Sequence, residues 1–165
     1  TIIVRPPAVL QVRAISDLAT AQSLMSTVVE AEKARVGNIV YERLVLIACG
    51  RVKAGIDLSK LRDDDVTVDG DVVTVRLPKA QLLDVYLIDD STQPCTTKVY
   101  DRTNLILLPE TQELESQARE QALTAIRTAA VQSGLLSDAN RNAKISIERI
   151  LILAGYKQVV FVEEP

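Results

Sequence analysis

Val66–Pro78 reads V-T-V-D-G-D-V-V-T-V-R-L-P, and its reading decides the fold class. Val66, Val68, Val73 and Val75 alternate with polar residues on either side of Asp69-Gly70, the two-residue period of a half-buried strand. Asp-Gly is a compact hairpin turn, and Pro78 ends the second strand.

Working outward toward the N-terminus, Asp57–Leu61 (D-L-S-K-L) predicts a single helical turn capped by Asp57 or Ser59. Before it, Asn38–Ile56 is the clearest strand, with Val40, Tyr41, Leu44, Val45, Leu46, Ile47 and Val52 as β-formers. Leu18–Glu32 has Thr and Ser diluting any helical pattern, and its T-V-V-E-A-E reads as a strand. Gly37-Asn38 then marks the turn of a long antiparallel hairpin. Ala8–Ala19 spaces Val9, Val12 and Ile15 as a short amphipathic helix. Residues 1–7, with Pro6-Pro7, form an extended lead-in.

Toward the C-terminus, Leu82–Ile88 alternates as a strand, Asp89–Thr97 is a turn-rich loop, and Lys98–Leu108 is a further strand interrupted by Asp101–Asn104. Glu110–Leu135 is a helix with acidic residues in its first turn, where the helix dipole favours them. Its apolar face is Leu114, Ala118, Ala122, Leu123, Ile126 and Ala130, and Gly134 ends it. A second helix, capped by Ser137 or Asp138, buries Ala143, Ile147, Ile150, Leu151 and Ala154 and stops at Gly155. Lys157–Glu163 is a final short strand.

Strands grouped first and helices later define an α+β fold: an antiparallel, strand-rich N-terminal two-thirds packed against two C-terminal helices. The 165 residues suit one domain over residues 8–165, with a core built from branched aliphatics, since aromatics make up only 3%. No internal repeat is visible along the chain.

Nineteen basic against 22 acidic residues give a net charge of −3, and Lys33, Arg35, Arg51 and Lys53 are scattered among carboxylates. Nucleic acid, which needs a dense basic face, is therefore not the expected partner. No window holds the ~18 apolar residues needed to span a bilayer; the nearest, Ile147–Gly155, is broken by Glu148 and Arg149.

The chain has no histidine, which removes Ser-His-Asp and Cys-His catalysis and most catalytic zinc sites. Cys49 and Cys95 lack C-x-x-C spacing; Cys49 reads as a small buried hydrophobe and Cys95 as a loop residue, with a disulfide open to them in an oxidising compartment. The acidic group Asp63, Asp64, Asp65, Asp69, Asp71 lacks the register of a calcium loop and reads as turn formers. Asp84, Asp89, Asp90 and Asp101 would have to converge to act as paired carboxylates, and nothing in their spacing requires it. Ser59-Lys60 and Ser146 suit a Ser–Lys nucleophile formally, but Ser59 stands where a cap is expected. In Ala54-Gly55-Ile56-Asp57-Leu58, Gly55 permits a bulge or a tight bend at the strand end and Asp57 caps the turn after it. No catalytic, cofactor-binding or metal-binding residue is assigned, and no cofactor is expected.

The run Glu42–Leu61 (E-R-L-V-L-I-A-C-G-R-V-K-A-G-I-D-L-S-K-L), with Val66–Pro78, V-Y-D-R at Val99–Arg102 and the Ala-rich helix pair, resembles the bacterial family catalogued as domain of unknown function 4230. The resemblance runs from about Val9 to Val162, and Ala54–Leu61 is its most specific part. Members of that family typically carry one N-terminal transmembrane helix ahead of this domain, so the resemblance implies a tether preceding Thr1, and a short basic leader before that helix would put the domain on the extracytoplasmic side. It implies no activity. A non-enzymatic module for protein partners or self-association is the first expectation, touching the membrane only through that upstream segment. A carrier of a small apolar ligand, held in a cleft between sheet and helices, is the second, and an enzyme the third.

Overall fold

The computed structural model describes residues 17–36, 39–104 and 112–163, with side chains over 21–33, 42–103 and 112–163. The chain forms β1 (Asp17–Val36), β2 (Ile39–Asp57), β3 (Val66–Asp69), β4 (Val72–Leu77), β5 (Gln81–Leu87), β6 (Lys98–Asn104), α1 (Gln112–Gln132), α2 (Leu135–Leu153) and β7 (Gln158–Glu163). Leu58–Lys60 and Asp63–Asp65 are 3-10 turns between β2 and β3. This is the expected α+β order. The helix expected over Ala8–Ala19 lies mostly outside the described residues, and its last three residues, Asp17–Ala19, are strand. The Gly37-Asn38 turn lies outside them too.

The chain divides into two compact units. Among the described residues, one takes in Ser23–Val52 and the stretch between Asp84 and Ser133; the other takes in 17–22, Lys53–Leu83 and 134–163.

In the first unit, β2 lies between β1 on one edge and β5 and β6 on the other. Two successive strands joined by two residues leave β1 and β2 no course but antiparallel. β1 alternates without a break, half-buried at Ala21, Ser23, Met25, Thr27, Val29, Ala31 and Lys33 and exposed between them. β6 runs antiparallel to β2, Glu42 opposite Asn104 through Ile47 opposite Lys98, with a register shift after Val45. One sheet face packs on α1: Leu44, Leu46 and Ala48 meet Leu114, Ala118 and Ala122, with Val29, Ala31 and Leu87 against them.

In the second unit, β3 and β4 form the hairpin read from Val66–Pro78, with Val66 opposite Val75 and Val68 opposite Val73. Gly70 takes φ +60 at the turn, a conformation that an L side chain resists. β7 joins β4 in parallel, Val73 beside Val159 and Val75 beside Phe161. Ile56, Leu58, Leu61, Val73, Val75 and Leu77 pack with Ala143, Ile147 and Leu151 of α2.

The helix boundary differs from the sequence expectation. Ser137 and Asp138 do not cap α2; the helix begins at Leu135, directly after Gly134 at φ +84. Leu135 is buried, so starting the helix three residues earlier than a Ser137 cap would brings one more aliphatic side chain into the core. The buried face of α2 is Leu135, Ala139, Ala143, Ile147 and Leu151; Ile150 is only half-buried and Ala154 is exposed at the cap. Gly155 closes the helix as expected: its N–H donates to Ile152 O and that of Tyr156 to Leu151 O, the paired bonds of a Schellman end. The buried face of α1 has the same spacing and nearly the same order, Leu114, Ala118, Ala122, Ile126 and Ala130, with Leu123 half-buried beside it.

Candidate functional site

The face of the first unit's sheet away from α1 is built by the alternation of three strands. Arg43 pairs with Glu30 at 3.0 Å and Glu32 at 3.7 Å, so the even positions of β1 and the odd positions of β2 share one face. The ladder adds Thr103 opposite Arg43, Asp101 opposite Val45 and Lys98 opposite Ile47. Leu24 is 49% and Val28 59% exposed there, and Val45 and Ile47 are half-buried. Of these four aliphatic side chains Leu24 and Val28 are the most open to solvent. Glu30, Glu32, Arg43, Lys98 and Asp101 bring both signs of charge to the same face.

Tyr100 stands beside this face. In the ladder Val45 faces Asp101 and Leu46 faces Val99, leaving Tyr100 as the extra residue of a bulge, 71% exposed. Bulges re-aim side chains and are common next to binding sites. V-Y-D-R carried the family resemblance, but its bulge was not legible, because it depends on the register against β2.

Between β5 and β6 the chain leaves the ladder at Ile88 and returns at Thr97. The N–H of Thr97 donates to Ile88 O at 2.6 Å, so the neck of the loop is closed. At its base Ile88 N–H donates to Cys49 O, Cys49 N–H donates to Thr97 Oγ1, and Thr97 Oγ1 donates back to Cys49 O. Cys49 and Cys95 are joined by a disulfide across a Cα–Cα distance of 5.8 Å, which settles the pairing that their spacing left open. Within the loop Thr92 donates from both backbone and side chain to Asp90 Oδ1, and these bonds hold the Asp90 carboxyl below its ordinary pKa. Asp89 is ion-paired with Arg119 of α1. A recess of about 240 Å³ under the loop is lined by Arg51, whose Nε is buried with no hydrogen-bond partner among the described residues, and by Tyr86 and Gln93.

The acidic residues singled out in the sequence go to separate tasks. Asp65 is buried, accepts the N–H of Arg62 and lies 3.6 Å from Arg62 Nε and 3.9 Å from Arg76 Nη1. Asp71 pairs with Lys157, and its carbonyl accepts the N–H groups of Lys157 and Gln158. Among the described residues no three His, Cys, Asp or Glu side chains come together as a metal site. Asp84 is exposed on β5, Asp90 is taken up by Thr92, and Asp101 stands in the ladder opposite Val45. Asp57 caps the first 3-10 turn by accepting the N–H and O–H of Ser59, and these bonds lower its pKa. The Ser59 hydroxyl thus faces a carboxylate, and Lys60 donates instead to Gln81. Ser146 is half-buried on α2. Gly55 lies within β2 rather than at a bend, and the strand runs on to Asp57.

In the second unit a cleft of about 300 Å³ opens between the ends of β4 and β7 and the first turns of α2. Leu77, Ala80, Leu136 and Val162 form its apolar wall; Lys79, Lys144, Asn140, Ser137 and Glu163 supply polar groups. Segments around positions 77, 136 and 162 meet here only in the folded chain, so nothing local in the sequence signals it.

These features define an α+β protein made of two units, each a sheet backed by one helix, with a disulfide-anchored loop on the first. The chain belongs to the family described as Protein of unknown function (DUF4230), whose model matches residues 10–161. No curated protein and no solved structure matches it. No described helix is long and apolar enough to cross a membrane.

Proposed function

We propose that this chain is a non-enzymatic interaction module, tethered to a membrane and working outside the cytoplasm, which binds a protein partner through the uncovered sheet face of its first unit. The observation that carries the reading is that face: Leu24 and Val28 of β1 exposed and Val45 and Ile47 of β2 half-buried on one side of the sheet, with exposed Tyr100 beside it and charges of both signs on it. An apolar centre with a polar rim and an aromatic anchor is the usual anatomy of a protein–protein contact. The Cys49–Cys95 bond supports the compartment, because disulfides persist where thiols are not kept reduced. The tether rests on what the family resemblance implies.

The test is made in cells expressing the full-length protein, with a photo-crosslinkable residue at Val28 or, as a control, at exposed Gln121 of α1. Membrane sedimentation and digestion by protease added to intact spheroplasts are expected, with a discrete crosslinked protein from position 28 and none from 121. A freely soluble product would remove the tether. Protection from external protease would reverse the side, and equal crosslinking from both positions would remove the face. A crosslinked species of twice the chain mass would make the partner a second copy.

A further inference from the structure

We infer that the cleft of the second unit binds a small aliphatic carboxylate, its tail on the apolar wall and its head between Lys79 and Lys144. This inference is independent of the interaction face, which belongs to the other unit. Lys33, Lys60 and Lys157 each have a partner, Glu113, Gln81 and Asp71, whereas Lys53, Lys79, Lys98 and Lys144 have none among the described residues, and of these four only Lys79 and Lys144 line a common cleft. Lys79 and Lys144 have no ion pair or hydrogen bond among the described residues, yet both border the same cleft and Lys144 is half-buried. Glu163 is the carboxylate among the lining residues, and it is ion-paired with neither lysine.

The other groups in the cleft narrow the class. Leu77, Ala80, Leu136 and Val162 offer an aliphatic wall, so a bare inorganic anion would leave most of the cleft unused. Asn140 and Ser137, each on the helix turn before a cleft-lining neighbour, add neutral donors suited to the two oxygens of a carboxylate. Glu163 at the rim offsets one of the two lysine charges, which favours a monoanion over a dianionic phosphate ester. The volume, about 300 Å³, is at the small end of ligand sites and limits the tail to a short chain. A cleft between sheet and helix was expected to hold an apolar ligand; its two unpaired lysines are what make the ligand acidic.

The experiment titrates the full chain with butyrate, hexanoate and octanoate, with octanol, acetate and hexyl phosphate as comparisons, followed by calorimetry and amide chemical shifts. Saturable octanoate binding is expected, shifting resonances in Ala80 and Leu136–Lys144, with affinity rising about two- to fourfold per methylene as each is buried. Lys79→Gln and Lys144→Gln should each weaken octanoate several-fold and the pair by more than about tenfold, with the melting temperature of the unliganded protein unchanged. Octanol should bind at least about tenfold more weakly than octanoate. Octanol binding as well as octanoate, or lysine variants that bind like the parent, would overturn the acidic head. Hexyl phosphate binding more tightly than hexanoate would overturn the carboxylate assignment. An absence of saturation at millimolar octanoate, or shifts confined to the first unit, would remove the site and leave the interaction face untouched.

Discussion

At Gly50 the backbone of β2 lies so close to α1 that an added Cβ would stand 2.7 Å from Ile126 Cδ1, 3.2 Å from its Cγ2 and 3.4 Å from Tyr86 O. The glycine is there for space, not for an unusual backbone angle, since its φ is not positive. Ile126 is 1% exposed, so its terminal methyl has little room to retreat. Gly50→Ala should therefore destabilise by about 1–3 kcal/mol, the range for overpacking a filled core. Ile126→Val, which removes the offending Cδ1, should recover part of that loss in the double variant. Urea midpoints of the four chains form a double-mutant cycle, and additive effects would mean that the two residues do not touch. Cys49 reads as a buried residue and is one, but C-G-R carries no mark of what lies above it. A glycine required by a helix packed on the strand looks the same in sequence as one required by a turn.

Whole elements were easier to read than their ends. The Val66–Pro78 hairpin was legible because valine and polar residues alternate cleanly around Asp-Gly, and local and tertiary preferences agree there. Ser137 and Asp138 are good capping residues, but burial of Leu135 decides where α2 starts. The helix faces show a second limit. Both buried stripes repeat every four residues, so each step turns about 40° around the helix and the contact line winds along the i±4 ridge. A 3.6-residue template keeps Ile150 at the centre of the face; the four-residue row puts Ile147 there and leaves Ile150 half-buried. The consequence is measurable by chemical denaturation. Ile147→Ala and Ile126→Ala should each cost about 2–5 kcal/mol, and Ile150→Ala less than about half as much. Equal losses at Ile147 and Ile150 would mean that α2 is rotated from the orientation described.

At the scale of the whole molecule the disulfide has the widest reach, and it was the connection the sequence left most open. Forty-six residues separate Cys49 and Cys95, and no spacing rule says that their Cα atoms end 5.8 Å apart. That proximity follows from β5 and β6 both pairing with β2, so that the loop between them begins and ends at Cys49. A cross-link over such a separation limits the unfolded chain, and the loop-entropy relation puts the effect at about 4 kcal/mol. Replacing both cysteines by alanine should therefore lower stability by about 2–5 kcal/mol, and a reducing agent should lower the parent to the same level. Thr97→Val separates the bond from the fastening around it. It removes the hydroxyl that bridges Cys49 N and Cys49 O, and should cost about 1–3 kcal/mol, as much with reductant as without. Parent and double-alanine chains of equal stability under oxidising conditions would show that the bond constrains nothing. Its formation in cells is read by alkylating freshly denatured protein before and after reduction. The expected result is two thiols that react only after reduction in protein recovered from membranes, and also when a leaderless chain is exported by a cleavable signal, but free thiols when that chain is kept in the cytoplasm. Free thiols in the membrane-recovered protein would remove the bond from the working molecule and with it the physical support for an oxidising compartment.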